Sequence, residues 1–195
     1  MGKLIAPVVH AATVGTQPQP IIVVDDDLLL RPWERADAPA VIEAFSDPDI
    51  QHWHFRRFDN VAEAVAWIDG CAQDWLREQR ASWAIVDRDG MKVAGRVSIS
   101  MALEDGHGEV GYWVLPRSRG RGIATRACIA ATGWAHAIGL HRVQLEHSTR
   151  NEASRRVAVH AGFVEEGVRR GANLHDDGWH DMQLYSHLPG DPAGR

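Results

Sequence analysis

The order in which strand-like and helix-like segments alternate is the feature that most limits how this chain can fold. The apolar periodicity predicts the order β α α β β β α β α β β. Consecutive strands favour antiparallel hairpins, whereas the two later β-α-β passages need crossover connections. The sequence therefore predicts an α/β (α+β) fold in which helices flank a central mixed β-sheet.

Capping residues and turn residues mark the predicted elements. Asp37 is a candidate N-cap for the first helix, and Asn60 begins the second helix with the spacing of a capping box to Glu63. The stretch 51–55 is placed in the loop after the first helix. The predicted strands are 28–31, 82–87, 92–103, 109–115, 141–147, 163–170 and 179–188, and the two later helices are about 120–138 and 151–161.

One domain is predicted between two terminal segments. The chain has 195 residues, of which 45% are hydrophobic and 24% charged, a balance that suits a single domain with a sizeable core. Residues 1–20, which end in Gln-Pro-Gln-Pro, are expected to form a flexible arm, and residues 189–195 a C-terminal tail. The domain itself is expected to span residues 21–188.

Charge and cysteine usage exclude several classes of protein. Lys plus Arg is 21 and Asp plus Glu is 26, so the net charge of −5 argues against direct nucleic-acid binding. The sequence has no apolar run of about 18 residues, so we expect no membrane span. Cys71 and Cys128 lack metal-ligand spacing, which favours free thiols and a cytoplasmic location.

The segment from Val114 to Thr125 carries the clearest chemical signal. It follows a predicted strand, contains Gly120 and Gly122, and opens a helix whose first N–H groups can bind an anion. It has no lysine at the position that a Walker loop requires, and Thr125 replaces the third glycine of a dinucleotide-binding motif. The segment predicts a phosphate-binding loop, with an arginine-rich helix cap as the alternative.

Several segments together resemble one enzyme family. Arg117-x-x-Gly120-x-Gly122 resembles the loop of GCN5-related N-acetyltransferases (GNAT) that holds the pyrophosphate of coenzyme A. The strand 109–113, the stretches 140–143 and 151–167, and the hairpin 177–185 are similar to other parts of that family, in particular its RimJ/RimL-like ribosomal-protein acetyltransferases. The resemblance covers about residues 28–188.

The resemblance implies a GNAT-like sheet and an acyl-CoA-dependent N-acyltransferase. The co-substrate would be acetyl-CoA or another acyl-CoA, and no metal is expected. Asn151 and Ser154 would approach the cofactor, with Ser154 as a catalytic residue near the leaving thiolate. The other implied cofactor-binding residues are Trp113, Val114 and Leu115 along the pantetheine, and Arg117, Arg119, Gly120, Arg121, Gly122, Ile123 and Ala124 around the pyrophosphate.

The amine must lose a proton, and here the sequence departs from the family. RimL-like enzymes carry a glutamate before the last turn, where this chain has Gly171-Ala172-Asn173. Glu109 is the expected general base, with His175 behind it. The substrate pocket is expected to include His52, Trp53, His54 and Phe55. His52-x-His54 lacks further metal ligands at a recognisable spacing.

Several alternatives stay open at this point. The acceptor amine could be a protein N-terminus or a small molecule, because one fold serves both. The acyl group could be longer or carboxylated, as in succinyl-CoA, in which case Arg96 or Arg170 would face it. A non-catalytic acyl-CoA-binding module and, more weakly, a nucleotide-binding protein are the other readings. The family resemblance makes a homodimer plausible.

Overall fold

A single mixed sheet organises the computed structural model, which describes residues 5–54, 56–88, 92–192 and 194. The sheet has eight strands in the order β1-β2-β3-β4-β5-β6-β8-β7. Its strands are β1 Ile22–Val23, β2 Leu28–Pro32, β3 Arg80–Asp87, β4 Val93–Ala102, β5 His107–Val114, β6 Arg142–Ser148, β7 Val164–His175 and β8 Gly178–His187. The helices are α1 Ala38–Ser46, α2 Pro48–His54, α3 Val61–Leu76, α4 Ile123–Ala137 and α5 Glu152–His160.

The strand pairing confirms the predicted fold class. Neighbouring strands pair antiparallel except β5 and β6, which run parallel because α4 connects them. The short strand β1 and the short helix α2 are additional to the predicted order. Of the helices in the described part of the chain, none has the length and apolar character that a membrane span requires.

The prediction of a loop at 51–55 was wrong for residues 51–54, which belong to α2. Asp47 caps this helix, because its Oδ1 accepts a hydrogen bond of 3.0 Å from the Ile50 N–H. Pro48 occupies the first helical position, where its missing N–H costs nothing. Phe55 lies outside the described residues.

The two faces of the sheet bury different side chains of the same strands. On one face Trp83 and Ile85 of β3 pack with residues of α4 and α5 in the larger hydrophobic cluster. On the other face Ala84 and Val86 pack with residues of α1 and α3. This division follows from the two-residue period of a strand, which turns successive side chains to opposite faces.

The described part of the N-terminal segment packs against the sheet and α3. Val9 and Val14 are buried in the larger cluster. The Trp75 indole donates to the Gln17 carbonyl at 2.8 Å, and Glu78 accepts hydrogen bonds of 2.6 and 2.9 Å from the N–H groups of Val14 and Gly15. The expectation of a flexible arm did not anticipate these contacts, because the partners lie about sixty residues away.

A buried ion pair joins the end of β2 to the start of α1. The Arg31 guanidinium donates two hydrogen bonds to the Asp37 carboxylate, of 2.7 and 2.8 Å, and both side chains are less than a tenth exposed. Asp37 also accepts from the Glu34 N–H at 2.9 Å. The partner charge raises the pKa of Arg31, although burial opposes this.

We expect Asp37→Ala to lower the free energy of unfolding by about 3 kcal/mol, because it removes both short hydrogen bonds of the buried Arg31 charge and leaves only Glu34, 3.8 Å away and largely exposed. Asp69→Ala is the matched control: Asp69 accepts two hydrogen bonds of 2.8 Å from Arg35, but both side chains of that pair are largely exposed. Its loss should cost less than about 1 kcal/mol. Urea unfolding measures the free energy of unfolding of both variants. Equal losses of stability would contradict the prediction.

Candidate active site

The strands β5 and β6 pair over only a short length and then separate. Their parallel register ends at Glu109 and Gln144. Beyond that point β6 continues beside β8, and β5 continues beside β4 alone. The second half of β5 therefore presents a backbone edge that no strand pairs with among the described residues. An extended ligand can hydrogen-bond to such an edge.

The orientation of the N–H groups along this edge refines the predicted cofactor contacts. The Leu115 N–H donates to the Ala94 carbonyl at 2.9 Å, on the β4 side. Because N–H groups alternate along a strand, the N–H groups of Tyr112 and Val114 face the opening, and that of Trp113 faces β4. Val114 is thus the predicted residue whose N–H is oriented toward an extended ligand, although its carbonyl already accepts a hydrogen bond of 3.3 Å from Arg119 Nε. The Leu115 N–H is already engaged.

The glycine loop between β5 and α4 has the features of an anion site. Gly120 and Gly122 adopt φ values of +76° and +69°, and a Cβ at either position would meet open space. Gly122 is the N-cap of α4 and offers no side-chain acceptor to the helix. The first N–H groups of the helix, at Ile123 and Ala124, therefore point outward without a helical partner. The local geometry fits a pyrophosphate.

The loop arginines differ in their contacts. Both terminal nitrogens of Arg117 donate to the Val93 carbonyl at 3.0 Å, and one also reaches Glu43 at 3.1 Å. Arg119 pairs with Asp47 at 2.6 Å and with Asp49 at 3.0 Å.

These contacts differ from the predicted side-chain role of Arg117 at the cofactor. Its guanidinium joins the loop to β4 and α1, because a main-chain carbonyl and a carboxylate lie within its reach. Arg121, in contrast, is exposed beside the two glycines. The backbone N–H groups and Arg121 thus offer positive charge to a ligand, while Arg117 and Arg119 fix the position of the loop.

Ser154 lies where α5 approaches β5. Asn151 is the N-cap of α5, and its Oδ1 accepts from the Ser154 N–H at 2.9 Å. The Ser154 hydroxyl accepts a hydrogen bond of 2.9 Å from the Tyr112 hydroxyl. Burial raises the pKa of Tyr112, so its phenol stays protonated and donates. The Ser154 proton is then available for another acceptor.

Sequence reasoning missed Tyr112. A signal was present, because the two-residue period of the strand places Tyr112 on the same face as Val110 and Val114, toward α4 and α5. The contact to Ser154 joins residues 42 positions apart, and the sequence alone does not give that register.

A cavity of about 220 Å³ lies on the opposite face of the same strands. It brings together two predicted site residues, Glu109 and His54. Gly111, which has no side chain, forms part of its wall where β5 leaves β6. The full lining is Phe45, His54, Arg56, Trp67, Arg80, Arg96, Ser98, Ser100, Glu109 and Gly111.

His54 is neutral in this environment. Burial lowers its pKa to about 4, the charges of Arg96 and Arg56 act in the same direction, and a hydrogen bond to the Tyr112 backbone opposes them. The His54 side chain thus connects the end of α2 to the part of β5 that has left β6.

The other predicted pocket residues form a separate cluster between α2 and the β7–β8 hairpin. The His175 ring stacks on His180, with centroids 4.0 Å apart, and lies 5.6 Å from the Trp53 ring. His52 Nδ1 lies 2.6 Å from Asp176 Oδ1. His175, the second candidate base, belongs to this cluster and is absent from the lining of the cavity that contains Glu109.

The structure also separates the His52-x-His54 pair, since His54 turns to the cavity. Ligand atoms of His52, Asp176 and Asp177 lie within 4.8 Å of one another. Asp177 already accepts from His180 at 2.6 Å and from Arg150 at 2.9 Å. Both carboxylate oxygens of Asp177 therefore already accept hydrogen bonds from protein side chains.

Comparison with known proteins agrees with this geometry. Residues 27–164, well over half of the chain, match the model of the acetyltransferase (GNAT) domain. The uncharacterized N-acetyltransferase YoaA of Bacillus subtilis is 26% identical over 168 residues, which cover 85% of this chain and 95% of YoaA. The ribosomal-protein-serine acetyltransferase of Escherichia coli is 31% identical over 81 residues, which cover 41% of this chain and 45% of that protein.

Solved structures share the fold. A Salmonella typhimurium acetyltransferase that modifies the N-terminal serine of a 50S ribosomal subunit protein has a TM-score of 0.77, with 22% identity over 87% of this chain and 99% of that chain. The Microcin C7 self-immunity acetyltransferase MccE, solved with acetyl-CoA and AMP, has a TM-score of 0.76, with 22% identity over 85% of this chain and 94% of that chain. This chain therefore belongs to the GNAT family and is an acetyl-CoA-dependent N-acetyltransferase.

Proposed function

We propose that the acceptor is the free amino group of a protein N-terminus. The observation that carries this proposal is the position of the cavity, which meets the open edge of β5 at Glu109 and Gly111. An N-terminal residue is small enough to enter there while the rest of the acceptor stays outside. The structural neighbour that modifies the N-terminal serine of a ribosomal protein and the relative that acetylates ribosomal-protein serine support the same acceptor class.

The donor would bind along the loop and the β5 edge. The N–H groups from Gly120 to Ala124 would hold the pyrophosphate, whereas the Arg119 N–H already donates to the Pro116 carbonyl at 3.3 Å. The Val114 N–H would pair with the pantetheine arm. A backbone N–H on the open edge would polarise the thioester carbonyl and stabilise the negative charge that develops on its oxygen.

The transfer is direct in this proposal. The neutral amine attacks the thioester carbonyl carbon, the new C–N bond forms, and the C–S bond breaks. The departing thiolate takes a proton from the Ser154 hydroxyl, whose oxygen already accepts from Tyr112. The nitrogen, which becomes cationic as the C–N bond forms, loses its second proton to water, and a proton from water restores the Ser154 hydroxyl. Asn151 positions Ser154 by holding its N–H. These two contacts support the assignment of Ser154 as the acid.

Glu109 would remove the proton from the incoming ammonium, directly or through a water. Its exposed carboxylate on the cavity wall supports this role, as does its position where β5 and β6 part. His54 is the second candidate base. Its low pKa makes it the weaker proton acceptor at neutral pH, because little driving force exists for its protonation.

A carboxylated acyl donor such as succinyl-CoA is a second candidate, and the presence of Arg96 in the cavity favours it. Arg170, the other residue considered for this role, is exposed on β7 and is absent from the cavity lining. A non-catalytic acyl-CoA-binding module would bind the donor without releasing thiol.

We also propose a homodimer and a cytoplasmic location. The β7–β8 hairpin exposes Val164, Val168, Leu174 and Trp179, each between 49% and 64% accessible. Exposed apolar side chains grouped on one hairpin favour a protein contact. Sedimentation at micromolar concentration distinguishes a dimer from a monomer.

Incubation with acetyl-CoA and a peptide that begins with serine should release free coenzyme A thiol. Glu109→Gln should lower kcat about 100-fold, because the variant keeps the shape of the side chain and loses the base. Calorimetry should show unchanged acetyl-CoA binding. Thiol release that fails with every amine, beside tight donor binding, would favour the non-catalytic module.

Ser154→Ala should lower kcat by about 10- to 100-fold, since the thiolate would then leave without its proton donor. Tyr112→Phe should give a smaller loss in the same parameter, because it removes only the hydrogen bond to Ser154. Tyr185→Phe is the matched control, since Tyr185 stacks on His147 and lies outside the site. If Tyr112→Phe and Tyr185→Phe have the same kcat, Tyr112 does not position Ser154.

Gly122→Trp should weaken coenzyme A binding at least about 100-fold, because the indole would fill the open space before the helix N–H groups. Gly190→Trp is the matched control: Gly190 also has a positive φ, +100°, and open space, but lies beyond β8. Calorimetric titration with coenzyme A measures both. Equal affinities would place the pyrophosphate elsewhere.

A further inference from the structure

Arg96 occupies the face of β4 that lines the cavity. In the sheet register it stands beside Ala84 of β3 and Trp113 of β5. Its Nε donates to the Ser82 hydroxyl at 3.0 Å, and its guanidinium carbon lies 5.6 Å from the centre of the Trp67 ring. These contacts hold the guanidinium through its Nε and one face, and Arg96 is among the residues that line the cavity.

The charge of Arg96 has no carboxylate partner in the described part of the chain. Arg80, its neighbour in the cavity, lies 3.6 Å from Asp74 and donates to the Ser100 hydroxyl at 3.1 Å. Burial lowers the pKa of Arg96 to about 10, and the charges of Arg80 and Arg56 add to this effect. A largely desolvated cation that lacks a counter-ion is costly unless a ligand supplies one.

The cavity as a whole is electropositive. Arg56, Arg80 and Arg96 line it together with one carboxylate, Glu109. Its volume of about 220 Å³ is below the range of about 300–1,000 Å³ that is usual for pockets that hold drug-sized ligands. The space therefore suits a carboxylate on a short stem. A planar carboxylate also matches the two parallel donors of a guanidinium.

We propose that Arg96 binds a carboxylate that the acceptor carries close to its reacting amine. The inference rests on the proposed amine acetylation at this cavity and refines its acceptor: the peptide source agrees with a protein N-terminus, and the amino-acid source would replace it with a small molecule. Glu109 and Arg96 line one cavity, so the amine would lie at the Glu109 end, where β5 is open, and the carboxylate at Arg96. Two sources share this chemistry: an acidic side chain near a peptide N-terminus, and the α-carboxylate of a free amino acid.

The experiment compares matched acceptors in the thiol-release assay with acetyl-CoA. The peptide arm uses the amides of Ser-Glu-Gly and Ser-Gln-Gly, and the small-molecule arm uses serine and serine amide. We expect the carboxylate member of one pair to have a kcat/KM about 10- to 100-fold higher, as for a charge-assisted hydrogen bond in a partly desolvated site. The arm that shows the difference identifies the source.

Variants then assign the preference to Arg96. Arg96→Gln should lower kcat/KM for the preferred carboxylate about 10- to 100-fold and leave the neutral analogue within about threefold. Arg96→Lys should restore part of the preference, because it keeps the charge and loses the paired donors. Arg170→Gln, on the exposed face of β7, should change neither value. Thermal unfolding and coenzyme A binding check that each variant is folded.

Each outcome of these experiments either supports or overturns the proposal that Arg96 binds an acceptor carboxylate. Equal kcat/KM values within both pairs would overturn it, as would a variant effect that is the same for acid and amide. A strong preference for succinyl-CoA over acetyl-CoA that Arg96→Gln abolishes would place the carboxylate on the donor and also overturn it. If no acceptor releases thiol, calorimetry of the coenzyme A complex with the same acceptors separates the two claims. Selective binding of the carboxylate member would support the Arg96 site, even though acetyl transfer had failed.

Discussion

The separation of β5 from β6 is the constraint on which the rest of the site depends. Parallel pairing that stops at Glu109 leaves main-chain polar groups of β5 without a partner strand. Such groups are costly to bury unless water or a ligand satisfies them. A linear ligand that carries its own amide groups, as pantetheine does, can take the place of the missing strand. The opening is thus a break in the sheet at which an extended ligand can pair with the β5 backbone.

The same strand also separates the two residues that are proposed to transfer protons, Ser154 and Glu109. Tyr112 points to the α4 and α5 side, where it meets Ser154, and Glu109 points to the cavity on the other side. Successive side chains of a strand alternate between its two faces. Because residues 109 and 112 are three positions apart, their side chains lie on opposite faces of the sheet. A thioester held along the β5 edge would therefore present its sulfur toward one face and its carbonyl to an amine that enters from the other.

Local patterns in the sequence predicted the parts of the fold and the site that local chemistry determines. The order of the elements and the loop of Gly120 and Gly122 were predictable, because periodicity and backbone freedom act over a few residues. The contacts of Arg117, Arg96 and Tyr112 could not be predicted from the sequence. Each depends on which residue of another element lies opposite, and that register is a property of the assembled sheet.

The short helix α2 shows how much of the site rests on such long-range contacts. Its N-terminal end is joined to the glycine loop between β5 and α4, because Asp47 and Asp49 both pair with Arg119. Its last residue, His54, lines the acceptor cavity and hydrogen-bonds to the Tyr112 backbone. One helix of seven residues thus connects the predicted pyrophosphate loop to the predicted acceptor pocket. The ion pairs of Arg119 and the position of the His54 ring on the cavity wall are therefore linked through α2.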